Sequence, residues 1–242
     1  SLSDVNVSFR GGAVNEGMGY QLAFADTDGD GSEDIILSAP GADDGKGEVY
    51  VYSSSATGVL EASDADAIYT GASENDYAGY SVAAGDINGD GHVDLVIGAP
   101  GYDGPYQNGA AYFVYGPLDF DSVLSIDLGA IIIGSNDDDR IGDAVDVGNL
   151  NSDEYADVII GASVNAAAYL QLGSEALRGV YDAEGLSYRF MPETTGYTFG
   201  ISTLFVGDLN GDGHMDVGIG DSGNTVEGDY ESGTAYFFTD LR

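Results

Sequence analysis

One nine-residue pattern recurs along this 242-residue chain at nearly constant phase, and it limits what the chain can fold into. The first copy is Asp26-Thr27-Asp28-Gly29-Asp30-Gly31-Ser32-Glu33-Asp34. The second is Asp86-Ile87-Asn88-Gly89-Asp90-Gly91-His92-Val93-Asp94, and the fourth is Asp208-Leu209-Asn210-Gly211-Asp212-Gly213-His214-Met215-Asp216. Between them lies a degraded third copy, Asn149-Leu150-Asn151-Ser152-Asp153-Glu154-Tyr155-Ala156-Asp157. Their first positions are 60, 63 and 59 residues apart. A repeat of that length is one supersecondary unit, and units of this kind bury their apolar faces by stacking on neighbours.

The pattern places side-chain oxygens at positions 1, 3, 5 and 9 and a glycine at position 6. Such a loop converges hard oxygen ligands on one point, which suits Ca²⁺ and its six to eight oxygens. Position 7 would add its backbone carbonyl. The expected ligands are Asp26, Asp28, Asp30, Ser32 and Asp34 in the first loop, and Asp86, Asn88, Asp90, His92 and Asp94 in the second. They are Asn149, Asn151, Asp153, Tyr155 and Asp157 in the third, and Asp208, Asn210, Asp212, His214 and Asp216 in the fourth. Three or four Ca²⁺ ions are expected. The third loop has only two Asp, and Glu154 replaces the turn glycine where a positive φ is expected. It is therefore expected to be the weakest site or to hold a different ion.

The flanks separate these loops from an EF-hand. An EF-hand needs Glu at position 12 and a helix on each side. Position 12 here is Leu37, Ile97, Ile160 or Ile219, inside short β-branched runs such as Leu95-Val96-Ile97 and Val158-Ile159-Ile160. Such runs read as buried strands. Asp at position 9 then replaces the missing Glu as the second strong anchor. A strand also precedes each loop, at 19–25, 79–85, 142–148 and 200–207. A third strand follows at 48–52, 111–115, 168–172 and 235–238. A fourth comes before the next repeat, at 67–69, 131–133 and 188–190. Four short antiparallel strands in about 60 residues match one propeller blade.

At this point the sequence resembles a known family. Gly79-Tyr80-Ser81-Val82-Ala83, the Asp86–Asp94 loop and Val96-Ile97-Gly98-Ala99-Pro100 look like an FG-GAP repeat. Repeats of this kind build the propeller of integrin α subunits and of many bacterial surface proteins. The resemblance implies an all-β propeller with a calcium loop between the first and second strands of each blade. Integrin propellers have seven blades, whereas four repeats are present here, at roughly 11–70, 71–133, 134–190 and 191–242. The segment Val5–Phe9 stands where a fourth strand belongs, so the strand order runs 4-1-2-3 through the chain. That phase predicts a closed four-bladed ring in which Val5–Phe9 pairs with Ala235–Phe238. A segment of a longer propeller is the alternative.

Composition bounds the function. The formal charge is −36, and even four doubly charged ions offset less than a quarter of it. An excess this large argues against direct binding to nucleic acid or anionic membrane. It resembles the acidic surfaces of proteins from saline settings, and Lys46 is the only lysine. There is no cysteine, which excludes disulfides, thiolate chemistry and Cys-based zinc sites. No apolar run is long enough to span a bilayer. Calcium is abundant outside cells and scarce in the cytosol, so an extracellular or cell-surface setting is expected. The chain begins at Ser1, as a processed form or a piece of a larger surface protein would.

No catalytic constellation stands out. His92 and His214 are the only histidines, and both occupy position 7 of a loop with side chains expected to face solvent. No catalytic and no cofactor-binding residue is assigned. The rim opposite the calcium loops carries the remaining links, at 41–45, 101–106, 135–139 and 223–230. Tyr102, Tyr106 and Tyr230 are candidates there for contact with a protein or glycan ligand. Asp137, Asp138 and Asp139 form a solvated acidic turn or an extra cation site. The expected function is a calcium-stabilised, non-catalytic binding or adhesion module. The alternative is a polysaccharide-binding or polysaccharide-degrading propeller domain of a secreted enzyme.

Overall fold

A computed structural model describes residues 7–102, 107–118, 122–124, 128–164, 166–186, 188–192, 198–223 and 233–239. Strand β1 is Val7–Arg10. The first repeat then supplies β2 (Leu22–Ala25), β3 (Asp34–Ala39), β4 (Glu48–Tyr52), β5 (Gly58–Glu61) and β6 (Ala67–Thr70). The second supplies β7 (Ser81–Gly85), β8 (Asp94–Ala99), β9 (Ala110–Val114), β10 (Ser122–Val123) and β11 (Gly129–Ile133). The third supplies β12 (Ile141–Gly148), β13 (Asp157–Ala162), β14 (Ala167–Gln171), β15 (Gly179–Asp182) and β16 (Tyr188–Phe190). The fourth supplies β17 (Phe199–Gly207), β18 (Asp216–Asp221) and β19 (Thr234–Phe238).

The expected all-β propeller architecture is present. Each Asp loop closes an antiparallel hairpin between the first and second strands of its blade, as in Gly85↔Asp94 and Gly207↔Asp216. The third strand pairs antiparallel to the second, and in the first three repeats the fourth pairs antiparallel to the third. The first strands pack in succession, β2 on β7, β7 on β12 and β12 on β17.

Three cores lie between the four sheets. Ile36, Val49 and Tyr69 of the first meet Leu95, Ile97 and Tyr112 of the second. Val96, Phe113 and Ile132 on its other face meet Val158, Ile160 and Tyr169 of the third. Ile159 and Leu170 meet Val217 and Ile219 of the fourth. Both faces of an inner sheet are thus buried, which is why its second strand reads as a continuous apolar run instead of an alternating one.

Glycine sets the spacing of two of these junctions. A Cβ on Gly98 would collide with the carbonyl oxygen of Gly142 in the next blade and with Ser81 Oγ. Gly161 meets the carbonyl of Gly200 in the same way. Ser81 Oγ also donates to the Gly142 carbonyl at 2.8 Å. The obstacle at Gly98 is backbone, which moves less readily than a side chain. Gly98→Ala is therefore expected to destabilise by about 3 kcal/mol, the upper end of the usual overpacking cost. Denaturant unfolding of the variant beside the parent measures it.

Two features differ from the sequence expectation. First, the sheets are not uniformly four-stranded. The link from third to fourth strand adds a short parallel strand to the preceding blade: β10 lies on β6, and β15 lies on β11. The described blade sheets run β10-β6-β4-β3-β2, β15-β11-β9-β8-β7, β12-β13-β14-β16 and β17-β18-β19, and β1-β5 is a separate two-stranded sheet. Second, the expected pairing of Val5–Phe9 with Ala235–Phe238 is not formed. Val5 lies outside the described residues, and Val7–Arg10 pairs in parallel with Gly58–Glu61. Phe9 packs on Tyr52 at a ring separation of 4.6 Å, so β1 is anchored against the outside of the first blade. Among the described residues β19 pairs with β18 alone. Among the described residues no strand pairing joins the first and last blades.

Candidate metal centres

The four loops share one internal hydrogen-bond ladder, and each side chain in it has a fixed task. The position-7 N–H donates to the position-5 carboxylate in Ser32→Asp30, His92→Asp90, Tyr155→Asp153 and His214→Asp212. The position-5 N–H donates to the side-chain oxygen at position 3, on Asp28, Asn88, Asn151 or Asn210. In loops one, two and four the position-1 carboxylate accepts from the N–H groups of both loop glycines. Asp26 takes Gly29 and Gly31, Asp86 takes Gly89 and Gly91, and Asp208 takes Gly211 and Gly213. Both glycines have positive φ, between 74° and 89°. Such geometry favours glycine because a side chain meets the carbonyl there.

These turns fold the carboxylates inward. In the first loop, oxygens of Asp26, Asp28 and Asp34 all lie within 4.8 Å of one another. Asp30 is outside that triplet. In loops two and four the position-3 residue is Asn, whose amide nitrogen reaches the position-5 carboxylate: Asn88 to Asp90 at 3.0 Å and Asn210 to Asp212 at 3.2 Å. Three converging carboxylates without a compensating base repel one another, and a hard divalent cation with oxygen preference fits that donor set.

Position 9 does more than the sequence indicates. Asp34, Asp94, Asp157 and Asp216 are buried, at 0–2% exposure. Each accepts the position-2 N–H on one oxygen, from Thr27, Ile87, Leu150 or Leu209. In the first three loops the other oxygen accepts an N–H just past the third strand, from Ser54, Gly116 or Gly173. This carboxylate therefore ties its loop to the far side of its own sheet. Burial pushes the Asp94 carboxyl up to about 6, against the pull of the Gly116, Ile87 and Asn88 N–H groups. Burial likewise raises Asp157, against Gly173 and Leu150. In both cases desolvation outweighs the hydrogen bonds, and a nearby cation would favour the charged form. The sequence signal for this role is the uniform apolar run that begins at the very next residue, which puts position 9 at the mouth of the core.

The third loop departs from the others. Ser152 takes the left-handed conformation at position 4, with φ 61°, while Glu154 at position 6 is not among the residues with positive φ. The expected strain at Glu154 is thus absent, because the loop backbone takes a different course there. Asn149 donates its amide to the Asp153 carbonyl, while its own Oδ1 is buried without a hydrogen-bond partner. Position 1 lacks the carboxylate that gathers the glycine N–H groups elsewhere.

Neighbouring loops touch through their position-7 side chains. Tyr155 stacks over Gly89, where a Cβ would meet its ring, and His214 Nδ1 lies 2.9 Å from Ser152 Oγ. His92 faces solvent as expected, whereas His214 is half-buried by this contact.

On the opposite rim, Tyr102 packs edge-on against Tyr112 at 5.9 Å, so it is part of its own blade. Tyr106 and Tyr230 lie outside the described residues. Asp139 is buried and accepts the Asn136 N–H at 2.7 Å, which makes it a cap of its own turn. Asp137 and Asp138 are exposed. A cleft of about 680 Å³ opens on this rim, between Glu16, Asp43, Asp44 and Glu48 of the first repeat and Asn75 and Tyr77 of the second. Among the described residues no helix is long and apolar enough to cross a membrane.

Comparison with known proteins agrees with this geometry. A family model for the FG-GAP repeat matches residues 18–52 and 78–114. Integrin alpha pat-2 of Caenorhabditis elegans is 29% identical over 229 residues, 86% of this chain and 18% of the relative. Integrin alpha-5 of Xenopus laevis is 30% identical over 224 residues, 84% of this chain and 19% of the relative. Phosphatidylinositol-glycan-specific phospholipase D of Rattus norvegicus is 33% identical over 137 residues, 50% of this chain and 16% of the relative. The chain spans less than a fifth of the length of these relatives.

Proposed function

Because this chain is an FG-GAP repeat protein with an integrin α-like β-propeller, we propose that it is an extracellular binding module, stabilised by calcium and without catalytic activity of its own. One observation carries the calcium part: the oxygens of Asp26, Asp28 and Asp34 gather within 4.8 Å in a loop whose backbone ladder recurs in the second and fourth repeats. Loops one, two and four are the strong sites, and the third is weak. The ions supply charge neutralisation and hold each hairpin against its sheet, while position 9 provides the tie to the third strand. The binding part rests on the likeness to integrin α chains and on the cleft of about 680 Å³ on the rim away from the loops, which fits a protein or glycan ligand.

A second reading has its own support. Phospholipase D relatives match half of this chain, so an FG-GAP propeller can also accompany an enzyme. A protein and glycan array probed with the calcium-loaded chain separates the readings. A bound ligand released by chelation and chemically unchanged after incubation supports the binding module. Turnover of a bound glycan or lipid-linked glycan supports the second reading.

A further inference from the structure

We propose that a pocket among the first strands of the four repeats binds one neutral sugar residue of a glycan. Every repeat lines it: Tyr20 comes from the first, Tyr80 and Ser81 from the second, Asp143 and Val145 from the third, and Leu204 from the fourth. Its volume is about 160 Å³, which suits a single hexose ring. Tyr20, Tyr80 and Asp143 hold one repeat position, six residues ahead of the first residue of their loops. They stand at the ends of their strands away from the metal loops. The pocket is therefore on the same rim as the cleft of about 680 Å³, but shares no lining residue with it. It gives the binding module proposed above, on whose existence this assignment depends, a ligand class of its own.

Two tyrosines form one wall. The rings of Tyr20 and Tyr80 lie 5.0 Å apart and tilted by 44°, and their hydroxyls share a hydrogen bond. Burial, and then that bond, raise the Tyr20 hydroxyl above its usual value, so it stays uncharged at neutral pH. Tyr20 is nevertheless 48% exposed, which leaves ring surface open to a ligand. Asp143 is 5% exposed and accepts twice from the Arg140 guanidinium, from Nη2 at 2.8 Å and Nε at 3.2 Å. That bidentate pair fixes the carboxylate, whose oxygens keep lone pairs for a further donor. Val145 and Leu204 supply apolar surface. A pyranose has C–H groups on its faces and hydroxyls at its edge, and it matches an aromatic wall with a fixed acceptor beside it. Charge decides against other small ligands. A cation finds the one carboxylate lining the pocket, among the described residues, already held by Arg140, and meets that guanidinium. An anion has to approach a chain of formal charge −36. A neutral polar ligand meets neither penalty.

Saturation-transfer NMR on the calcium-loaded chain tests this with three kinds of probe at millimolar concentration. These are a panel of free neutral hexoses and N-acetylhexosamines, glucuronate, and arginine amide. Transfer to at least one neutral sugar is expected, with affinity lowered roughly tenfold by Tyr20→Ala and largely kept by Tyr20→Phe. Arg140→Gln leaves Asp143 without its partner, and arginine amide is then expected to bind in place of the sugar. Should Tyr20→Ala lose the strand signal in circular dichroism, Arg140→Gln decides alone. No transfer to any neutral sugar overturns the proposal, as does stronger transfer to arginine amide or glucuronate in the parent. Sugar transfer undiminished by Tyr20→Ala overturns it too, while leaving the binding-module reading in place, because the sugar then binds elsewhere. That reading falls separately, if the chain binds nothing on the protein and glycan array.

Discussion

Chelating calcium is expected to lower the melting temperature of this chain by roughly 15–30 °C. Three strong loops, each with calcium about a hundredfold above its dissociation constant, contribute ~8 kcal/mol in total, and a chain of this size shifts by about 2–4 °C per kcal/mol. The sign follows from the loops themselves. Asp26, Asp28 and Asp34 approach one another within 4.8 Å with no basic group among the loop's hydrogen-bond partners. Without a cation their mutual repulsion acts directly on the first hairpin. Differential scanning calorimetry with excess EDTA, and then with calcium restored, measures the shift. An unchanged melting temperature would show that the loops hold without the ion.

The second large effect comes from a single side chain. Asp94→Ala removes the acceptor for the N–H groups of Ile87, Asn88 and Gly116. Leaving the two buried donors of Ile87 and Asn88 unsatisfied costs on the order of 1–3 kcal/mol each, and the half-buried Gly116 N–H adds to it. Against this, the charged Asp94 is itself penalised by burial, which pushes its carboxyl up to about 6. Removing the charge relieves that penalty and offsets part of the loss. The lost acceptors win, and a net destabilisation of about 3 kcal/mol is expected even in EDTA. Asp90→Ala takes only the His92 N–H and the Asn88 amide, at an exposed position. It is expected to cost under about 1 kcal/mol in EDTA. Urea unfolding of both variants without calcium tests the difference, and equal losses would mean that position 9 has no role beyond ligation.

Much of this was legible in the sequence because it is written in short-range spacing. Asp at positions 1, 3, 5 and 9, glycine at 4 and 6, and an apolar run from position 10 determine loop, hairpin and buried second strand together. The strands that add in parallel were not legible, because they are short and their partners lie in the preceding repeat. A faint signal exists: Gly58-Val59-Leu60-Glu61-Ala62 and Gly179-Val180-Tyr181-Asp182-Ala183 share one pattern, and both segments become such strands. The double duty of Asp34, Asp94 and Asp157 depends on residues some 16 to 22 positions away, which no local motif contains. The parallel pairing of Val7–Arg10 with Gly58–Glu61 was not legible either, because the 4-1-2-3 order permits a strand clasp but the observed partner lies some fifty residues away and no local motif encodes it.

The most direct test of the account is the number of calcium ions each chain holds. Equilibrium dialysis with radiolabelled calcium is run on the parent and on Asp26→Ala, Asp86→Ala, Asn149→Ala and Asp208→Ala. Three tightly held ions are expected in the parent, one fewer in each of the Asp26, Asp86 and Asp208 variants, and no change for Asn149. A parent chain that retains no calcium at millimolar concentration, or an Asn149 variant that loses an ion as readily as the Asp26 variant, would contradict it.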